Sequence, residues 1–173
     1  PRRRDLLIEN LHLIQDRFGH LSAAHLRALA EAMGLAQAEV FEVATFYAHF
    51  DVVKEGESPP PATTVRVCDS VTCAMMGADA LLQALRQGTD PAQVRIVRAP
   101  CMGRCAAAPV AEVGHRHVEQ ATIGSVRAAI AGGDRNAVIP DYVGYDRYVA
   151  DGGYTLLQAC LDGGRSVDDL IAT

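Results

Sequence analysis

Apolar positions in the first fifty residues recur at helical spacing. Leu7, Leu11, Ile14 and Phe18 fall on one face of residues 4–18, and Gly19 offers a C-terminal stop. Ser22 is placed to N-cap a second helix through Leu26, Leu29, Ala30 and Met33, closed by Gly34. A third helix is predicted from Ala36 to about Tyr47, with Val40, Val43, Ala44 and Tyr47 inward. Asp51 to Pro61 is charged and then proline-rich, as a linker is. The period then changes. Thr64 to Cys68 alternates as a strand does, with Val65 and Val67 on one face. Thr72 to Gln87 reads as one helix with Ala74, Ala78, Leu81, Leu82 and Leu85 on a stripe and Gly88 as terminator. Gln93 to Arg98 is a second strand, and Val110 to Val118 a hairpin turning near Gly114-His115. Ile123, Val126 and Ile130 mark a last helix, ended by Gly132-Gly133.

The order β-α-β-β-β-α over residues 62–133 is that of a small helix-backed sheet, thioredoxin-like. The expected class is therefore α+β: an N-terminal three-helix segment (1–50), a linker (51–61), the thioredoxin-like domain (62–133) and an extended C-terminal tail (134–173). Four of the five tyrosines fall between Tyr142 and Tyr154. Short helices are expected from Tyr154 to Leu161 and from Ser166 onward. So aromatic a stretch, with so little regular pattern, suits a docking surface.

Composition removes several function classes. The chain is 49% hydrophobic and 21% charged, with no tryptophan and a net charge of −5. That balance argues against nucleic acid, whose phosphates demand concentrated positive charge. No run approaches the roughly 20 apolar residues of a membrane span, so no direct membrane contact is expected. Pro1-Arg2-Arg3-Arg4 is basic but has no apolar signal core behind it. A cytoplasmic location is the expectation.

Chemistry concentrates in four of the five cysteines. Cys68 and Cys73 form a C-x4-C pair, and Cys101 and Cys105 a C-x3-C pair within A-P-C-M-G-R-C-A-A-A-P (99–109). An odd total with this spacing is unlike a secreted disulfide scaffold; close pairs in a reducing compartment hold metal or do redox work. A [2Fe–2S] rhombus takes four thiolates, two per iron, and two close pairs in two loops meet that need. Cys68 ends a strand and Cys73 begins a helix, where backbone N–H groups favour anionic sulfur. Gly103 permits the turn that brings N–H groups to the sulfurs, in a loop bracketed by Pro100 and Pro109. A zinc site of four cysteines, a redox disulfide and four unrelated cysteines remain as alternatives on spacing alone.

These motifs, with V-A-T-F-Y-A-H-F at 43–50, carry a resemblance over residues 4–132. The chain resembles the thioredoxin-like [2Fe–2S] ferredoxin subunit of NADH-dehydrogenase modules, a family spanning complex I and NAD-linked hydrogenases and formate dehydrogenases. The resemblance implies that Cys68, Cys73, Cys101 and Cys105 ligate one [2Fe–2S] cluster. It also implies single-electron exchange with FMN, FMN and NAD lying on a flavoprotein partner or fused domain, and further iron–sulfur and catalytic subunits in the complex. The chain itself would then carry no catalytic acid, base or nucleophile. The tail, D-Y-V-G-Y-D-R-Y-V-A-D-G-G-Y-T-L-L-Q-A, is similar to the lead-in of the FMN-binding subunit, without its glycine-rich site. That likeness implies the front of a fused polypeptide, which suits formate dehydrogenases and hydrogenases better than complex I; a docking tail is the other reading.

Smaller features are weighed against blander ones. Arg104, between two thiols, either offsets cluster charge or is a solvated loop cation. His115 and His117 alternate near a turn and read as exposed side chains rather than metal ligands. Cys160, beside Leu156, Leu157 and Leu161, reads as a buried small hydrophobe, and Met75 and Met76 as packing residues. No G-x-G-x-x-G or P-loop is present. Residues 22–47 have the outline of a helix-turn-helix, which raises a cluster-bearing transcriptional sensor as the alternative function. Its second helix, however, carries Glu39 and Glu42 and no Lys or Arg, and residues 1–50 hold five basic and six acidic side chains. Such a helix would meet phosphates badly.

Overall fold

A computed structural model describes residues 3–172 and divides the chain into two compact units, one ending at Val138 and the other beginning at Ile139.

In the first unit a single 3-10 turn, Arg4–Leu6, leads into α1 (Leu7–Phe18), followed by β1 (Leu21–Ser22), α2 (Ala23–Met33) and α3 (Gln37–Phe46). Gly19 and Gly34 cap α1 and α2 in the left-handed conformation, as their positions predict. Ser22 does N-cap α2: its Oγ accepts from the His25 N–H, and His25 Nδ1 accepts from the Ser22 N–H. Imidazole here fills the place that a glutamate takes in the usual capping box. Leu7, Leu11, Leu26, Leu29, Ala30, Val40 and Ala44 close one core, with Leu21 and Phe50. Phe18 leaves that core. It is exposed and stacks on the His25 ring at 4.5 Å. Tyr47 also lies outside, because the helix ends at Phe46 and Tyr47 turns to extended backbone.

The segment after α3 is tied down from its first residues. β2 (Val52–Val53) pairs in parallel with β1. Gln15, buried in α1, donates from Nε2 to the His49 carbonyl at 2.8 Å and accepts the Asp51 N–H at 2.6 Å. One amide side chain thus satisfies two backbone groups that no ladder reaches.

The second core belongs to a four-stranded sheet of order β4-β3-β5-β6. Its strands are β3 (Thr63–Cys68), β4 (Val94–Ala99), β5 (Ala111–Val113) and β6 (Arg116–Val118). β3 and β4 are parallel; β5 runs antiparallel to β3, and β6 to β5. Val65, Val67 and Ile96 pack with Leu81, Leu82 and Leu85 of α5 (Ala78–Gln87) and Val126 of α6 (Ile123–Gly132). Gly114, at φ +66°, and His115 make the two-residue turn between β5 and β6. The opposite face of β3 is covered as well, so Arg66 is buried in mid-strand. Its guanidinium donates to the His49 carbonyl at 2.7 Å and pairs with Asp51 at 3.3 Å, and Arg95 of β4 pairs with the same carboxylate.

One expected helix is two. Thr72 to Gln87 divides into α4 (Val71–Met75) and α5, because Gly77 adopts φ +91° between them. The apolar stripe belongs to α5 alone, and Ala74, counted on it, is exposed. Met75 and Met76 are likewise 81% and 59% exposed rather than packed, since α4 ends in the turn that carries them outward.

The second unit holds α7 (Tyr145–Ala150), α8 (Thr155–Leu161) and α9 (Val167–Ile171). The sequence pattern does not predict α7, whose six residues are too few to establish a period. Ser166 caps α9 in a box with Asp169. Tyr154 meets Tyr148 edge-on, ring centroids 5.0 Å apart. None of the described residues of this unit is buried. Cys160 is therefore only half-buried, not the core residue expected, because Leu156, Leu157 and Leu161 beside it are themselves exposed. No helix among the described residues is long and apolar enough to cross a membrane.

Candidate cluster-binding site

The parallel pairing of β3 and β4 brings the two cysteine pairs together. Cys68 is the last residue of β3, and its register partner across the ladder is Ala99, the last residue of β4. The chain continues from these neighbours in the same direction, so both following loops emerge side by side. One loop runs through Ser70, the N-cap of α4, to Cys73 inside that helix. The other passes Pro100 and delivers Cys101, then Cys105 at the start of a 3-10 turn, Cys105–Ala107. Two hydrogen bonds fix the first turn: the Cys68 N–H donates to the Val110 carbonyl and the Asp69 N–H to that of Ala99, each at 3.0 Å.

The four thiols form one group. Cys68 interacts electrostatically or by hydrogen bonding with each of the other three. Cys101 Sγ and Cys105 Sγ are 3.7 Å apart. Cys68 and Cys73 are buried, whereas Cys101 and Cys105 are exposed, so the group sits at the surface with one half roofed by protein. Burial pushes the Cys73 thiol up. The Gly103 N–H, which donates to Cys101 Sγ at 3.4 Å, pulls the Cys101 thiol down, and Cys101 in turn raises Cys105. Gly103 has φ +73°, a left-handed conformation that glycine adopts without the penalty of a Cβ. The motif C-x-G-x-C therefore supplies both a thiol pair and a donor to it.

Two contacts escaped the sequence reading. The Ser70 hydroxyl draws the Cys101 thiol down and the Thr72 hydroxyl the Cys105 thiol, so each favours the thiolate it lies near. Both hydroxyls lie inside the C-D-S-V-T-C loop, and they reach across to the other pair. Three hydroxyl or thiol side chains at alternate positions (Cys68, Ser70, Thr72) were the visible signal.

The other candidates fall outside the group. Arg104 is exposed, and its Nη1 donates to Glu119 Oε1 at 2.6 Å. His115 and His117 do not act together. His115 Nε2 and Asp16 Oδ1 lie 2.7 Å apart, whereas His117 sits in β6 opposite Glu112. His117 instead lines a cavity of about 260 Å³ that opens onto Cys101, Tyr47 and His49.

The donor set fits a thiolate-ligated diiron rhombus. Each iron of such a cluster asks only two protein sulfurs, which is what each close pair provides. A thioredoxin-type sheet with two thiol pairs gathered beyond its parallel strands suits a sulfur-ligated redox protein.

Comparison with known proteins gives the family. Residues 1–133 match the family model described as thioredoxin-like [2Fe-2S] ferredoxin, and the chain belongs to that family. It is 33% identical over 138 residues to an NADH-quinone oxidoreductase subunit of Mycobacterium tuberculosis, an alignment covering 75% of this chain. The chain spans about half the length of that relative, 53%. It is 29% identical to the NADP-reducing hydrogenase subunit HndA of Solidesulfovibrio fructosivorans, covering 76% of this chain and 78% of that protein. Among solved structures, an NAD+-reducing [NiFe]-hydrogenase chain shares the fold with a TM-score of 0.58 at 24% identity, over 76% of this chain and 22% of that one.

Proposed function

We propose that Cys68, Cys73, Cys101 and Cys105 hold one [2Fe–2S] cluster, and that the chain is an electron-transfer module of an NAD-linked oxidoreductase complex. The observation that carries this reading is the emergence of both cysteine pairs beyond the adjacent, parallel ends of β3 and β4. When bound, the cluster supplies one-electron transfer and no bond-making chemistry. The chain's residues do the rest. Cys68 and Cys73 anchor the buried side, Cys101 and Cys105 the outer side, and the Gly103 N–H with the Ser70 and Thr72 side chains offsets negative charge on sulfur. The exposed half gives an electron partner a short approach.

That partner is a flavoprotein subunit or fused domain carrying FMN and NAD, within an NAD-linked hydrogenase or formate dehydrogenase, or a respiratory NADH dehydrogenase. The relatives' names support it: an NADH-quinone oxidoreductase subunit and an NADP-reducing hydrogenase subunit. The exposed apolar residues of the second unit, among them Tyr142, Tyr145, Leu156 and Leu157, suit a role in docking to it. The helix-turn-helix sensor is not favoured: Glu39 of α3 pairs with Arg4, and the helix offers no cation to phosphate.

Anaerobic purification with iron and acid-labile sulfide analysis tests the assignment. About two irons and two sulfides per chain, with a rhombic EPR signal after dithionite reduction, are expected. Zinc without sulfide would replace the electron-transfer reading with a structural one.

A further inference from the structure

A second group of titratable side chains lies where the N-terminal helices meet the sheet, and the cluster reading does not use it. His12 comes from α1, His49 from the segment after α3, and His115 from the β5–β6 turn. Their ring centroids are 4.8 Å apart for His12 and His49, 5.2 Å for His49 and His115, and 6.3 Å for His12 and His115. His49 and His115 stack at 26°, and Phe50 meets the His12 ring edge-on. Three elements distant in sequence therefore join through imidazole.

The charges around these rings are unevenly shared. Asp16 of α1 contacts His115. The carbonyl of His49 accepts from Arg66 of β3, and Asp51 is taken up by Arg66 and Arg95. Glu112 and His117 line the smaller cavity beside His49, and Arg135 lines a larger one, about 340 Å³, on its other flank. Burial holds the His49 ring down to about 4, reinforced by Arg66, His12 and His115 and opposed by Asp16.

We propose that His12, His49 and His115 form an acid-sensitive latch, which holds the N-terminal helices against the β5–β6 turn while the rings are neutral and releases them when a second ring takes up a proton. Neutral rings stack as apolar surfaces. Asp16, 2.7 Å from His115, offers the three rings one carboxylate. Charge on two of the rings would set like charges within about 5 Å of each other next to Arg66. The sign follows from linkage. His49 is depressed in the fold below the ordinary value of about 6.5, so the unfolded segment binds more protons between those limits. The latch is fully stabilising above about pH 6.5 and weakens as pH falls towards about 4. Because His49 also lines the cavity that reaches Cys101, release would open that flank of the cysteine loops to water.

Hydrogen–deuterium exchange of the full chain as purified, with its bound metal, tests the latch between pH 7.5 and 5 after correction for intrinsic rates. Peptides covering 7–18 and 111–118 should lose protection by about tenfold or more, while β4 peptides keep theirs. His49→Gln and His12→Asn should flatten the response. Protection that does not change with pH, or a response that survives in both variants, would overturn the proposal. Should either variant fail to fold, a proton NMR titration of the unmodified chain decides. His49 should titrate well below the usual range, its transition also moving the His12 and His115 resonances; an ordinary, independent titration of His49 would sink the latch.

Discussion

Arg104, which stands between two cysteines of the candidate site, donates from Nη1 to Glu119 Oε1 at 2.6 Å. The loop cation nearest the exposed thiols in sequence is therefore already neutralised by a carboxylate. Glu119→Gln should leave the guanidinium's charge unopposed and raise the cluster's reduction potential. Both side chains are about half exposed, so the effect is small: a unit charge at close range in water amounts to about 1 kcal/mol, or about 40 mV for one electron. Arg104→Gln should produce no positive shift. Potentiometric EPR titration of the two variants checks the pair; equal potentials in all three proteins would show that Arg104 has no electrostatic reach to the site.

Ser70 and Thr72, on the opposite loop, favour the thiolate forms of Cys101 and Cys105. Their hydrogen bonds favour thiolate, and removing them should shift the potential downwards. Ser70→Ala and Thr72→Val should each cost about 1 kcal/mol of stabilisation at sulfur, a shift of roughly −40 mV, without loss of iron. The same titration reads it. An unchanged potential in both variants would show that the hydroxyls do not reach the ligand sulfurs.

Much of this architecture is visible in the residue pattern because its elements obey simple periods. The stripe Leu81, Leu82, Leu85 and the alternation Val65, Val67 name their buried faces directly, and Gly19, Gly34 and Gly133 stop helices where a left-handed residue is required. Cysteine spacing singles out the four candidate thiols and leaves open what they hold, which only the family resemblance narrows. What escapes are effects that arise only when distant segments meet. Nothing near Arg66 reveals that a mid-strand cation will be buried, since its partners, His49 and Asp51, come from another segment. Nor does local sequence reveal three histidines converging from α1, a loop and a hairpin turn. Gly77 is a subtler case: the helical period runs across it unbroken, and only its positive φ divides α4 from α5.

Asp51 gives the clearest test of those long-range effects, because it looks like the first residue of a linker yet pairs with both Arg66 and Arg95. Asp51→Ala leaves a guanidinium that is only 7% exposed without its anion. Breaking a buried pair from one side costs about 3–5 kcal/mol, and the lower figure applies here because Arg66 keeps the His49 carbonyl. Urea unfolding followed by circular dichroism should show the loss. In a double-mutant cycle with Arg66→Met, much of it should be recovered, since the uncompensated charge is then gone. A loss under about 1 kcal/mol, the usual ceiling for an exposed pair, would identify Asp51 as a surface residue in practice.

Gly77 sets where α4 points, and with it Cys73. Its φ of +91° lies in the left-handed half of the map, while a Cβ built there meets nothing within 4 Å. Gly77→Ala therefore tests backbone conformation free of any clash. The left-handed cost for an alanine is about 1–2 kcal/mol, and the chain has two ways to meet it. If the turn holds, urea unfolding should show that loss with an unchanged EPR line shape. If the backbone relaxes to join α4 and α5 into one helix, Cys73 rotates away from Cys68, and iron content per chain should fall. Full stability with full iron would mean that Gly77 is not needed for the turn, and that the hydrogen bonds from Met76 and Gly77 to the last carbonyls of α4 suffice to break the helix.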